Sequence, residues 1–197
     1  MKKRWMAVLL MGAMALSLVG CGESEDGESS GDSSSTGGTA IEASADENGN
    51  YAVNGSFEDD FETLADWTIT LNETEEVDLY TRETDCYEGV QCMHFWSGET
   101  DVDFTAEQTL SGLEAGTYTL TGYIQGEATA ADTEIYFYAV IDGEMYQMDT
   151  SLDGYLTWNE AVLSGLEVEG GEITIGVCVK AAAESWGTID NITLVKE

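Results

Sequence analysis

From residue 49 to the C-terminal end, apolar and polar side chains alternate with a period of two, the repeat of a strand with one buried face. Runs rich in β-branched and aromatic residues occupy positions 67–71, 91–96, 102–110, 116–125, 134–141, 144–149, 157–163, 172–179 and 187–195. Turn-forming pairs such as Ala115-Gly116, Asp142-Gly143, Asp153-Gly154 and Gly170-Gly171 separate them. Nine strands with no amphipathic helix between them predict an all-β fold, an antiparallel β-sandwich or jelly roll spanning residues 49–197. Only positions 61–66 and 181–185 have room for a turn of helix.

The alternation also sorts side chains between the two faces. Tyr118, Leu120 and Ile124 share one side of their strand, as do Met93 and Phe95, then Ile135, Phe137, Ala139 and Ile141, then Ile173, Ile175, Val177 and Val179. These sets are expected to meet in the core, joined by Trp67 and Trp158. The opposite side then carries Cys92, His94 and Trp96 on one strand, Tyr123 and Gln125 on a second, and Tyr136 and Tyr138 on a third. An outward cluster of rings and amides marks a binding surface, unless loops cover the rings or the two faces are exchanged. Sugars suit such a surface, because their C–H faces stack on rings while His and Gln bond their hydroxyls.

The first 48 residues read differently. Residues 1–20 join a basic start (Lys2, Lys3, Arg4) to an apolar run of 16 residues, short for a spanning helix and right for a signal peptide. The run ends in Leu18-Val19-Gly20-Cys21, which resembles the bacterial lipobox. That resemblance implies cleavage before Cys21, lipidation of that cysteine, and an extracytoplasmic protein anchored to the bacterial cell membrane by lipid alone. Residues 21–48 are dominated by Gly, Ser, Thr, Asp and Glu, too polar to offset their ordering entropy by burial. They are expected to form a disordered acidic tether.

Composition narrows the function. The 197 residues include 39 Asp and Glu against 6 Lys and Arg, a net charge of −33. Nucleic acids and anionic lipid surfaces are held through Lys and Arg, so this balance excludes a nucleic-acid partner. Hydrophobic residues still make up 43% of the chain, so the charge coats something that folds. His94 is the only histidine, and any zinc site or Ser-His-Asp triad would rest on that single ring. No nucleophile elbow, HExxH or phosphate-cradling glycine loop occurs. Among the cysteines that follow Cys21, Cys86 and Cys92 are near enough in sequence for a disulfide outside the cell. Pairing of Cys92 with Cys178, or no pairing, is equally compatible, and one thiol of the three is left over.

Asn54-Gly-Ser-Phe-Glu58 followed by Trp67 resembles the opening, and Trp186-Gly-Thr-Ile-Asp-Asn-Ile-Thr-Leu194 the closing strand, of jelly-roll carbohydrate-binding modules of the galactose-binding-like fold. Between them, Tyr87-Glu-Gly, His94-Phe-Trp-Ser97, the stretch from Gln108 to Leu120, and Gln125-Gly126 resemble the modules of family sixty-one. Those modules usually accompany arabinogalactan endo-β-1,4-galactanases and bind β-1,4-galactan. The resemblance covers residues 51–195. It implies non-catalytic binding of a polysaccharide or oligosaccharide, with Trp96 and Trp186 as stacking platforms and His94, Tyr123 and Gln125 as hydrogen-bonding partners. It also implies a structural Ca²⁺ on Glu58 and Asp190, completed by backbone carbonyls, as suits a cation that takes six to eight oxygen ligands. Surface glycosidases or transporters are the protein partners such a role implies. A protein-protein adhesion or sensor domain on the same sandwich is the alternative. Glycoside hydrolysis would need a carboxylate pair that nothing among the 39 acids singles out.

Overall fold

An alternating strand buries its apolar face only when a second sheet lies against it, and two sheets meet here. A computed structural model of the protein describes residues 39–59 and 63–197. Its strands are β1 (Ile41–Glu42), β2 (Thr68–Leu71), β3 (Glu76–Thr81), β4 (Gln91–Trp96), β5 (Val102–Leu113), β6 (Gly116–Glu127), β7 (Glu134–Ile141), β8 (Glu144–Asp149), β9 (Asp153–Val168), β10 (Gly171–Ala181) and β11 (Trp186–Lys196). The first sheet runs β1-β5-β10-β7-β8, with β2 also paired to β5, and the second runs β3-β4-β11-β6-β9. All pairings are antiparallel except that of β1, which lies parallel to β5. The all-β sandwich expected from the alternation is the observed architecture.

The inward sets also meet as expected. Met93 and Phe95 from β4, Tyr118, Leu120 and Ile124 from β6, and Ile189, Ile192 and Leu194 from β11 pack against the first sheet. That sheet contributes Phe104, Ala106 and Leu110 from β5, Ile135, Phe137 and Ala139 from β7, and Ile173, Ile175, Val177 and Val179 from β10. Phe95 and Phe104 bridge the two layers with ring centroids 5.3 Å apart. Trp67 is buried beside Phe57, and its indole N–H donates to the Asn54 carbonyl at 3.3 Å. In β11 a bulge with Asn191 in the left-handed region (φ 48°) changes the parity, which is how both Ile189 and Ile192 reach the core.

The fold begins before residue 49. Ile41–Glu42 pairs with Leu110 and Ser111, and Asp46 Oδ1 accepts the N–H groups of Asn48 and Asn50, each at 2.8 Å. A two-residue strand is too short to carry a period. β3 also escapes the pattern, because only Val77 and Leu79 turn toward the core and the acids around them mask the alternation. The signal segment, Cys21 and residues 22–38 lie outside the described residues.

Other placements differ from the pattern for local reasons. Among the described residues the one helical turn is a 3₁₀ turn at Glu83–Asp85. The segment 181–185, which has room for a turn of helix, ends β10 and closes a single hydrogen-bonded turn, with Ser185 N–H donating to Ala182 O at 3.2 Å. Tyr138 does point outward but is buried, because its ring lies over Gly176 and its hydroxyl donates to Glu107. Trp158 is not in the core: it is half-buried on the outer face, edge-on to Tyr87 at 5.5 Å. Cys92 and Cys178 occupy outward positions on opposite sheets with the core between them, so they do not pair.

Gly122 takes the inward position between Leu120 and Ile124, and the Phe137 ring of the facing sheet fills the space a side chain would need. A Cβ there would come within 2.2 Å of Phe137 Cε1. Gly122→Ala should therefore destabilise the fold by about 1–3 kcal/mol, the usual cost of overpacking a filled core. Urea unfolding of the variant measures this, and an unchanged midpoint would show that Phe137 moves aside freely.

Candidate functional site

The outer face of the second sheet carries the side chains that β4, β6 and β11 turn away from the core, and register arranges them in rows. Trp96 on β4 is paired with Trp186 on β11. Asp78, His94, Thr188 and Gln125 form the next row across β3, β4, β11 and β6. Side chains directly opposite one another on adjacent strands start about 5 Å apart, so each row is a continuous surface.

Two irregular segments close over this face. One is the loop 82–90 between β3 and β4. The other is a bulge in β9: Ile124 pairs with Asn159 and Gly126 with Gly154, so the single residue Gln125 faces residues 155–158. Within the bulge Leu156 adopts a left-handed conformation (φ 59°), and Tyr155 comes over the face with its ring 6.0 Å from that of Trp186.

Loop, bulge and sheet enclose a pocket of about 390 Å³, lined by Tyr80, Arg82, Asp85, His94, Trp96, Tyr155, Trp186 and Thr188. Trp96 and Tyr155 remain 42% and 52% exposed, large apolar faces open to solvent at its rim. Gly98 sets the Trp96 ring in place, since a Cβ at that position would meet the ring at 2.6 Å. A larger cleft of about 690 Å³ on the opposite side of the loop, between Asp46 and Asn191, has no aromatic residue in its lining.

The polar side of the pocket is a connected chain. Asp85 is buried and accepts from Tyr155 Oη at 2.6 Å, Thr84 Oγ1 at 2.9 Å and Arg82 Nη1 at 3.2 Å. Burial pushes the Asp85 carboxyl up, but the hydroxyl bonds and the Arg82 charge outweigh it and hold the group below its ordinary value. The Arg82 guanidinium also lies 4.9 Å from the centre of the Tyr80 ring, and Tyr80 stacks on His94 at 4.6 Å. His94 Nδ1 lies 2.7 Å from the acceptor Asp78 Oδ1, a contact that fixes the orientation of the ring. Stacking faces combined with fixed donors and acceptors suit a neutral, hydroxyl-rich ligand with an apolar side.

Of the residues expected to bind, the structure brings Trp96, His94 and Trp186 together in this pocket. Gln125 lies beneath it, fully buried, and its amide is engaged within the protein. Its Nε2 donates to Asp85 O at 3.2 Å and Thr188 Oγ1 at 2.9 Å, and its Oε1 accepts Leu156 N–H at 2.6 Å. It was expected to bond the ligand, and the structure places it in the floor, beneath the lining residues. Tyr123 is outside the lining; it stacks on Tyr87 at 3.8 Å and donates to Glu160 Oε1 at 2.7 Å. Sequence reasoning missed Tyr80, Arg82, Asp85, Tyr155 and Thr188. Arg82 carried a signal, being one of only three basic residues after the signal segment.

Glu58 and Asp190 do converge, from opposite ends of the chain, on the loop after the 3₁₀ turn. Glu58 Oε1 accepts the N–H groups of Val90 at 2.6 Å and Gln91 at 2.7 Å. Asp190 Oδ2 accepts those of Tyr87 at 2.8 Å and Glu88 at 3.1 Å, and Oδ1 accepts that of Asn191 at 2.7 Å. Burial pushes the Asp190 carboxyl up to about 7, against the pull of these N–H donors and with the Glu58 charge adding to the rise. Among the described residues no three His, Cys, Asp or Glu side chains form a metal cluster. An ion on this pair would therefore draw its remaining oxygen ligands from backbone carbonyls.

No family model and no curated protein matches the chain. Solved structures do. The chain is similar to TmCBM61, solved in complex with β-1,4-galactotriose, at 24% identity over 75% of this chain and 99% of that one, with a TM-score of 0.67. It is similar to the C-terminal family 22 carbohydrate-binding module of Clostridium thermocellum Xyn10B, at 17% identity over 77% and 96% of the two chains, with a TM-score of 0.55. It is also similar to the enzymatically active domain of tailspike protein 4 of bacteriophage CBA120, at 16% identity and a TM-score of 0.58, over 76% of this chain but only 22% of that one. These likenesses establish the sandwich fold.

The Asp85 network gives a direct test of the pocket geometry. Asp85 should titrate below the ordinary aspartate value of about 3.9, so the pocket keeps its anionic acceptor throughout neutral and mildly acidic pH. Its contribution to stability is present above that value and is lost as the pH falls through the lower folded value. Tyr155→Phe removes a bond to the ionised form and should raise the Asp85 value toward 3.9, as read by carboxyl NMR titration. The same curve in both proteins would show that the Tyr155 bond is absent in solution.

Proposed function

We propose that the protein binds carbohydrate without catalysis in the pocket between loop 82–90 and the β9 bulge, with β-1,4-galactan or a related galactoside as ligand. The observation that carries this reading is the ring surface of Trp96, Trp186, Tyr155 and Tyr80, set around the charged groups of Arg82 and Asp85. A pyranose presents an apolar C–H face to the rings and hydroxyls to the donors and acceptors. The galactotriose in TmCBM61 is the source of the ligand class. One carboxylate, Asp85, lines the pocket, whereas glycoside hydrolysis uses two, which favours binding over cleavage.

The proposal extends to location and cofactor. Lipidation at Cys21 would hold the protein to the outer side of a bacterial membrane, with residues 22–38 and their neighbours as spacer. Ca²⁺ on Glu58 and Asp190 would offset the cost of a buried Asp190 carboxylate and its repulsion by the partly buried Glu58, and so hold the loop that walls the pocket.

Titration calorimetry against galactan, arabinogalactan, xylan and β-glucan tests the binding. A Kd between μM and mM for galactan is expected, roughly −8 to −4 kcal/mol. Trp96→Ala should weaken it at least about tenfold, a loss of ~1.4 kcal/mol. Unchanged affinity in that variant would remove the pocket from consideration, and a silent glycan array would favour an adhesion or sensor domain.

The ion is tested by heat. Dialysis against EDTA should lower Tm by several degrees, on the scale of roughly 2–4 °C per kcal/mol for a chain of this size, and Ca²⁺ should restore it. A Tm indifferent to EDTA would mean that the backbone N–H groups alone satisfy the two carboxylates.

A further inference from the structure

Two thiols stand directly behind the polar wall of the pocket. Cys92 points outward from β4, as its alternation with Met93 and Phe95 requires, yet it is fully buried because loop 82–90 lies over it. The loop residue above it is Cys86, with the two sulfurs 3.0 Å apart. Cys86 Sγ also approaches Arg82 O at 3.3 Å, and Cys92 Sγ approaches Asp85 O at 3.7 Å. The thiols therefore touch the backbone of the two residues whose side chains supply the pocket's charges. Cys178, on the other sheet, is in no position to compete.

We propose that Cys86 and Cys92 are an oxidisable pair that closes to a disulfide by thiol-disulfide exchange, and that this cross-link fixes the loop carrying Arg82 and Asp85. Its meaning for ligand binding rests on the carbohydrate reading above; the cross-link itself does not. A low-molecular-weight disulfide such as oxidised glutathione is a sufficient oxidant. One cysteine thiolate attacks a glutathione sulfur, forming a mixed disulfide and expelling one glutathione thiolate. The second cysteine thiolate then attacks the protein sulfur of that mixed disulfide, forming the Cys86–Cys92 bond and expelling the second glutathione. Two electrons pass to glutathione, and the two protons lost by the cysteines end on its thiols.

Geometry and timing both fit. A disulfide needs the sulfurs about 2.05 Å apart, so closure requires an approach of ~1 Å within a loop already folded back on its strand. Burial pushes both thiols up and so keeps the attacking thiolate rare once the loop has packed. Exchange is accordingly a step of folding, completed before loop 82–90 covers Cys92. The closed ring then restricts the unfolded chain as well as the loop.

The test uses the full chain refolded with mixed oxidised and reduced glutathione, then cleaved after glutamate without reduction. Cleavage after Glu83, Glu88 and Glu99 places Cys86 and Cys92 in separate peptides, residues 84–88 and 89–99. The expected result is a linked pair of these peptides that separates on reduction. Relative to both the reduced wild type and a Cys86→Ser, Cys92→Ser variant, the oxidised protein should show amide exchange in residues 83–90 slowed at least about tenfold and a Tm higher by roughly 5–10 °C. Absence of the linked pair, a link that includes Cys178, or equal exchange and Tm in oxidised and reduced wild type would each overturn the proposal. None of these readouts needs a sugar, so failure of carbohydrate binding would register separately in the polysaccharide titrations.

Discussion

Between Ile124 and Gly126 the ladder joining β6 to β9 loses its register, and the Gln125 side chain occupies the gap. Its carbonyl takes the Leu156 N–H that the broken ladder leaves without a strand partner, while its amino group holds Asp85 O and Thr188 Oγ1. One buried amide thus ties together a bulge in one strand, a loop from elsewhere in the sequence and the central strand of the sheet. Buried polar groups are costly when unpaired and rigidifying when satisfied, so the geometry above this residue depends on it. Tyr155 stands over the pocket because the bulge exists, and Asp85 forms its wall because the loop is held down on the amide.

The sandwich was legible in the sequence because burial of one strand face leaves a period-two record, and the inward sets of β4, β6, β7 and β10 were read from it directly. Parity could assign Gln125 to the outer face but not tell that a bulge and a loop would cover it. The same limit applies to Tyr138, outward by alternation and buried by contacts with Gly176 and Glu107. His94 and Trp96 were visible as outward positions on a regular strand, and Trp186 through the family resemblance. Of the residues missed, Tyr80 and Thr188 lie on strands β3 and β11, while Arg82, Asp85 and Tyr155 sit on irregular backbone, where periodicity carries no information and position is decided by long-range hydrogen bonds. Trp158 was misplaced for the same reason.

The acidic surface gives Arg82 a particular standing. Lys180 and Lys196 pair with Glu134 and Glu114 at the surface, whereas Arg82 is spent on a nearly buried aspartate and the Tyr80 ring. In a chain with 39 acids, the unmet demand for cations is everywhere, yet one of the few available is committed to the edge of a pocket. The resulting site is locally balanced in charge within a strongly negative field. Under the carbohydrate reading proposed above, that balance suits an uncharged ligand, where an anionic one would be repelled by the surroundings.

The parallel pairing of β1 with β5 has a bearing on orientation. Ile41 meets Leu110 on the first sheet, toward the end where β5 gives way to β6 and where β11 finishes. Trp96 and Trp186 lie on the second sheet, at the end where β4 leads into β5 and β10 into β11. The chain therefore enters the fold on the opposite layer from the pocket and at the opposite end of its strands. A load applied at Ile41 would thus reach the first sheet before it reached the aromatic rim carried by the second.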